Sequence, residues 1–229
     1  MEGILRMSKE TAALTLNPQL AAFHKSLLAK YEEANKSVKP GQTLFVGSSI
    51  MELFPIEKWE EAGEVKFDHY IYNRAVRATT TAFMLEHMDV QVFDLAPSKI
   101  FINIGTNDIG FEVPEAEFQA NYEAIIRQIQ EKLPDTEIFM LKYYPINSKD
   151  FGHDSDEQTL FKTRSNAAFD HASELNRQLA DKLSVHFIDL SDGLANDEGN
   201  LKPELTLDGA HLNEDGCRVV LENLKPYLE

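Results

Sequence analysis

The strongest constraint on this chain is its rhythm. Short runs rich in Phe, Ile, Val and Tyr alternate with longer amphipathic runs from residue 43 onward. Strand candidates stand at residues 43–46, 69–72, 99–104, 137–143 and 185–190. Apolar residues at helical spacing predict helices over 49–62, 79–93, 114–133, 161–183 and 213–226. The 114–133 stretch puts Phe118, Tyr122, Ile125, Ile126 and Ile129 on one face. A further helix is expected over 18–37, with Asn17 as its cap, Pro18 at its first position and a stop at Pro40-Gly41. Residues 1–17 read as a loose lead-in. Strands that alternate with helices imply a parallel sheet covered on both faces. The expected fold is a three-layer α/β/α sandwich with about five parallel strands, one domain over residues 1–229.

Composition narrows the partners. The chain carries 38 acidic against 22 basic residues, a net charge of −16. Such a surface repels a phosphate backbone or an anionic membrane, so neither nucleic acid nor membrane is an expected partner. A hydrophobic content of 43% argues against disorder despite that charge. Cys217 is the single cysteine, which excludes an internal disulfide and any multi-cysteine zinc site. No window approaches the roughly 18 apolar residues of a membrane span. Only Ile4 and Leu5 form an apolar run before Arg6, too little for a signal peptide, so a cytoplasmic location is expected.

In a parallel α/β sheet, sites form beyond the carboxyl ends of the strands. Four segments stand at or near such ends. Gly47-Ser48-Ser49 follows the first strand, where a serine either caps the next helix or is presented as a nucleophile beside free backbone N–H groups. Asn73-Arg74-Ala75 follows the second and, taken alone, reads as a turn before a helix. Gly105-Thr106-Asn107-Asp108-Ile109-Gly110 follows the third; turn chemistry explains it, and so does an Asn amide aimed at a developing oxyanion. Asp208-Gly209-Ala210-His211 precedes the last helix, at a spacing that lets one turn join carboxylate and imidazole. The polar connection over 147–160 is longer than the fold requires and reads as a lid or an insertion.

Taken together, these four blocks and their order resemble the SGNH hydrolases, also called GDSL-like esterases and lipases. The resemblance spans residues 43–213. It implies a flavodoxin-like fold, no cofactor, and a serine esterase acting on a small-molecule ester. By carry-over Ser49 is the nucleophile, His211 the base and Asp208 the group that orients His211. The oxyanion donors would be the Ser49 N–H, the Ala75 N–H and the Asn107 amide. Ser48 stands where the family has Asp, and Ala75 where it has Gly. Ser48, Ile50 and Phe111 are expected at the substrate, with Met51, Leu53, Phe54 and Val113 as further acyl-pocket candidates; core packing explains the residues after Ser49 equally well.

Other classes lack their signatures. Position 51 is Met, so the Gly-x-Ser-x-Gly elbow of ordinary α/β-hydrolases is absent. No Gly-x-Gly and no Gly-Lys-Ser/Thr occurs, which excludes Rossmann and P-loop nucleotide sites. The remaining histidines show no zinc-ligand spacing, so no metal is expected. The expected substrate carries a short acyl group, such as acetyl, on a soluble carbohydrate or small metabolite. The alternatives are a lysophospholipase- or thioesterase-type acylhydrolase, or a hydrolase-like binding protein without turnover. A homo-oligomer is a further expectation.

Overall fold

The computed structural model describes residues 17–153 and 160–228. Five strands form, all parallel: β1 (Thr43–Gly47), β2 (Ile71–Asn73), β3 (Lys99–Asn103), β4 (Glu137–Leu141) and β5 (His186–Ile188). Their order across the sheet is β2-β1-β3-β4-β5. Topology reverses between β1 and β3, and the crevice beyond their carboxyl ends is where a ligand is expected in such a sheet.

Register sorts the core into two layers. Leu44, Val46, Ile100, Ile102, Ile138 and Met140 face one side, where long helices cover them. These include α7 (Glu115–Lys132) and α8 (Asn166–Leu183). Phe45, Phe101 and Phe139 lie side by side on the other face. There Phe45 meets Phe101 edge-on at 5.8 Å, and Phe101 stacks on Phe139 at 4.8 Å. The C-terminal helix α9 (Glu214–Leu224) packs over this aromatic row through Cys217, Val220, Leu221 and Leu224. Burial pushes the Cys217 thiol up to about 12, so it behaves as a packed apolar group.

The N-terminal helix α1 (Pro18–Asn35) starts as its sequence dictates. The Asn17 side chain accepts from the Gln19 and Leu20 N–H groups, and Pro18 opens the first turn. Residues 1–16 of the expected lead-in lie outside the described residues, as do residues 154–159 of the long connection. Side-chain contacts tie α1 to the loop after β2. Tyr31 donates to the Ala75 carbonyl at 2.8 Å, and Arg74 Nε donates to Asn35 Oδ1 at 2.9 Å. The His24 ring N–H donates to the Arg77 carbonyl at 2.8 Å, and Arg77 lies over the Phe23 ring.

Several predicted elements are shorter or broken. The helix expected over 49–62 is two pieces, α2 (Ser49–Glu52) and α3 (Ile56–Glu61), because Pro55 bars its predecessor from helical backbone. The helix over 79–93 is likewise split into α4 (Thr81–Glu86) and α5 (Met88–Gln91) at His87, with a 3-10 turn after it. Its cap is Thr80, whose hydroxyl faces the Phe83 N–H; the Thr79 hydroxyl donates instead to Val76 O. The helix expected from 161 is interrupted: Leu160 and Phe161 are helical, and the long helix starts anew at Asn166, where the Ser165 side chain accepts from Ala168 N–H. Asn213 is the cap of α9 rather than its first residue.

One glycine fixes how closely β1 and β3 approach. Gly47 has φ 143°, and a Cβ there would lie 2.0 Å from the Asn103 carbonyl oxygen. Gly41 also has positive φ, +77°, but meets nothing within 4 Å. Both positions disfavour a side chain, and only Gly47 adds a collision. Gly47→Ala is therefore expected to cost at least about 2 kcal/mol, and Gly41→Ala about 1. Urea midpoints of the two variants check the difference; equal losses would show that the strands can separate freely.

Candidate active site

Two serines follow β1, and the backbone treats them differently. Ser48 is fully buried, its N–H donates to Asn103 O at 3.1 Å, and its hydroxyl neither caps α2 nor bonds another described residue. The expectation of Ser48 at the substrate is therefore corrected: it sits under the site, not in it. Ser49 is the first residue of α2 and faces the cavity. Its own N–H, at the first helical position, has no intrahelical acceptor.

The 208–211 turn assembles the rest. Gly209 takes φ 85° and passes close to the Asn147 carbonyl, with 2.7 Å left for a Cβ. Thr206 Oγ1 accepts from Gly209 N–H at 2.9 Å and donates to His211 O at 2.7 Å. Asp208 Oδ1 accepts from the Ala210 and His211 N–H groups at 3.0 and 2.8 Å. Its Oδ2 takes the Nδ1–H of His211 at 2.6 Å, and Ser49 Oγ lies 2.9 Å from His211 Nε2. Burial alone would raise the Asp208 carboxyl. The hydrogen bonds from the His211 ring, the His211 N–H and the Ala210 N–H outweigh it and hold the group below its ordinary value. An ionised carboxylate only accepts, so the ring proton sits on Nδ1 and Nε2 is left to accept from Ser49. The structure thus brings Ser49, His211 and Asp208 into one hydrogen-bonded chain.

The second block needs a correction. Ala75 is fully buried, and its N–H donates to Asn73 Oδ1 at 3.1 Å, so it cannot face a ligand. Asn73 is a strut: its Nδ2 donates to Met51 O at 2.6 Å and Phe54 O at 3.3 Å, holding the far end of α2. Three residues later the chain reaches the cavity. Ala78 lines it with Ser49, Asn107 and His211, has φ 56°, and its N–H bonds no acceptor among the described residues. Asn107 also lines the cavity; its Nδ2 donates to Thr79 O at 2.8 Å, which leaves the second amide hydrogen unspent.

Around these groups lies a cavity of about 610 Å³. Ile50, Leu53 and Phe111 line it, whereas Met51 and Phe54 belong to the core and Val113 lines a neighbouring trough. Arg164 and Leu207 also line the cavity, and neither carried a signal in the sequence. Among the described residues, no three His, Cys, Asp or Glu side chains come together as a metal site, and no helix is long and apolar enough to cross a membrane.

Asp108 braces the site from behind. It is buried at the start of α6 (Thr106–Gly110) and accepts from the Thr81 N–H at 3.0 Å and the Thr81 hydroxyl at 2.5 Å. Desolvation dominates and pushes its carboxyl up to about 6 despite those bonds. Unfolded, the group titrates near 3.9, so the folded state holds the proton more tightly between about pH 4 and pH 6. Its stabilising contribution is complete below about pH 4 and is lost as pH rises through about 6. Relative to Asp108→Asn, which keeps both Thr81 contacts, the wild type should lose about 2 kcal/mol of stability between pH 4 and pH 7. Parallel pH dependences of the two urea midpoints would refute this.

Residues 45–219 match the GDSL-like lipase/acylhydrolase family. A Streptococcus pneumonia protein named for platelet activating factor superposes with a TM-score of 0.83 at 33% identity, over 97% of this chain and 100% of that one. A Bacteroides fragilis protein described as an acylhydrolase gives 0.71 at 17% identity, over 88% and 95% of the two chains. An acetylxylan esterase from Geobacillus stearothermophilus gives 0.63 at 14% identity, over 84% and 96%. Among curated proteins no match is found. A family match across most of the chain, on a five-stranded parallel α/β sheet, makes this chain a member of the GDSL-like lipase/acylhydrolase family, an enzyme that acts on ester bonds.

Proposed function

We propose that the chain is a serine esterase working through an acyl-enzyme, with Ser49 as nucleophile, His211 as general base and acid, and Asp208 orienting the imidazole. The observation that carries this reading is the unbroken path from Ser49 Oγ through His211 to Asp208, at 2.9 and 2.6 Å. His211 takes the hydroxyl proton as Ser49 Oγ attacks the ester carbonyl, and the imidazolium that forms rests against the Asp208 carboxylate. Collapse of the tetrahedral adduct breaks the bond to the alcohol, and His211 returns the proton to the departing oxygen. Water then enters by the same route and releases the acid.

The oxyanion is held by the Ser49 N–H, the Asn107 Nδ2 and, in place of Ala75, the Ala78 N–H. Support for Ala78 is its position in the cavity and its unclaimed N–H. The acyl group is short, on a soluble carbohydrate or small metabolite. Ile50 and Leu53, close to Ser49 in the chain, give the cavity an apolar wall for a small acyl group.

A second reading, an amphiphilic ester of the lysophospholipid type, has its own support. A trough of about 920 Å³ adjoins the catalytic cavity and shares Ala78 and Phe111 with it. Leu20 and Leu28 of α1, Phe83 and Val113 wall this trough. Leu207, beside Asp208, is 62% exposed.

Hydrolysis of a p-nitrophenyl ester series from acetate to long chains separates these readings. Ser49→Ala should lower kcat by at least ~10⁴, and Asn107→Ala by roughly 10²–10³ with little change in melting temperature. An optimum at acetate supports the short-acyl reading, and one at long chains supports the amphiphile. Turnover that survives in Ser49→Ala would sink both.

A further inference from the structure

We propose that Arg164 is a positioning residue that sets which way the Asn107 amide faces the catalytic cavity. This inference rests on the reading of Asn107 as an oxyanion donor. The two ends of an Asn side chain are nearly the same shape and opposite in polarity. With the carbonyl end turned to the cavity, Asn107 would repel the oxyanion it is meant to bind. Something must therefore fix the flip.

Two contacts do so. Asn107 Nδ2 donates to the Thr79 carbonyl at 2.8 Å, and Arg164 Nη2 donates to Asn107 Oδ1 at 3.2 Å. A guanidinium only donates and a backbone carbonyl only accepts. A flipped amide would thus set donor against donor at one end and acceptor against acceptor at the other. The Thr79 bond uses one Nδ2 hydrogen and leaves the other for the substrate.

Arg164 arrives from 57 residues away and is itself held in place. Its Nη1 donates to Leu160 O at 3.0 Å, and its guanidinium lies 5.8 Å from the Phe111 ring centre. The neighbouring Thr163 hydroxyl donates to Gly110 O at 2.7 Å, so the segment is fastened to the end of α6. Gly110 supplies the space: a Cβ there would lie 2.0 Å from the Arg164 guanidinium carbon. Its backbone is helical, so glycine serves here for room and not for a special φ.

The test measures kcat and KM on p-nitrophenyl acetate for Arg164→Met, Arg164→Lys and Gly110→Ala, with Arg164→Met repeated in the Asn107→Ala background. Melting curves verify folding. Arg164→Met should lower kcat roughly 10–100-fold with KM nearly unchanged, less than the loss of the donor itself. Arg164→Lys, which keeps a donor, should recover part of that loss. Gly110→Ala, which displaces the guanidinium without touching Asn107, should lower kcat in the same direction. In the Asn107→Ala background Arg164→Met should add less than about twofold, because the group it positions is gone. A full loss in that background, or a rise in KM at constant kcat, would overturn the assignment and make Arg164 a substrate contact. If Asn107→Ala alone left kcat intact, the oxyanion reading would fall, and the role of Arg164 with it.

Discussion

The site depends on the close approach of two strand ends. Gly47 and Asn103 stand opposite each other at the carboxyl ends of β1 and β3, with no room for a side chain between them. The Ser48 N–H closes the gap by bonding Asn103 O. Ser49 and Asn107 each leave the sheet within a few residues of this contact. Their separation is therefore fixed by sheet geometry rather than by loop conformation. Catalytic groups on such a frame need little rearrangement before reaction, which is what electrostatic stabilisation of a transition state requires.

Buried polar side chains then brace the loops against one another. Asn73 ties the second block to the end of α2, and Asp108 ties α6 to the start of α4. Arg74 is buried between the Tyr31 and Tyr72 rings and reaches Glu57 at 3.2 Å. Asn73, Arg74 and Asp108 belong to blocks that resemble, in sequence, those carrying chemistry. In the fold, Asn73, Arg74 and Asp108 carry load between loops, while Ser49, Thr106, Asn107, Asp208 and His211 of those blocks line the cavity.

That division explains what the sequence made legible. Strand and helix periodicity revealed the sheet, and local spacing revealed the Asp208–His211 pair, because both depend on neighbours along the chain. Of the two serines after β1, Ser48 is fully buried and Ser49 lines the cavity. Pro55 is a visible break in the helix expected over 49–62. The approach of Ala78 to the cavity was not readable, because an alanine announces no positive φ as a glycine would. Arg164 was hidden for a different reason: its partner lies 57 residues away, and no periodicity links them.

The N-terminal helix lies before the stretch that matches the family, yet it grips the loop that carries Ala78. Tyr31, Asn35 and His24 all bond the segment between Arg74 and Arg77, and Leu20 and Leu28 wall the adjoining trough. Such an accessory element is a natural unit of diversification. Exchanging its outward residues would reshape the approach to the nucleophile while the reacting groups stayed as they are. In the amphiphile reading proposed above, one wall of the approach and the reacting groups lie in separate stretches of chain, so that wall can change without disturbing the groups that react.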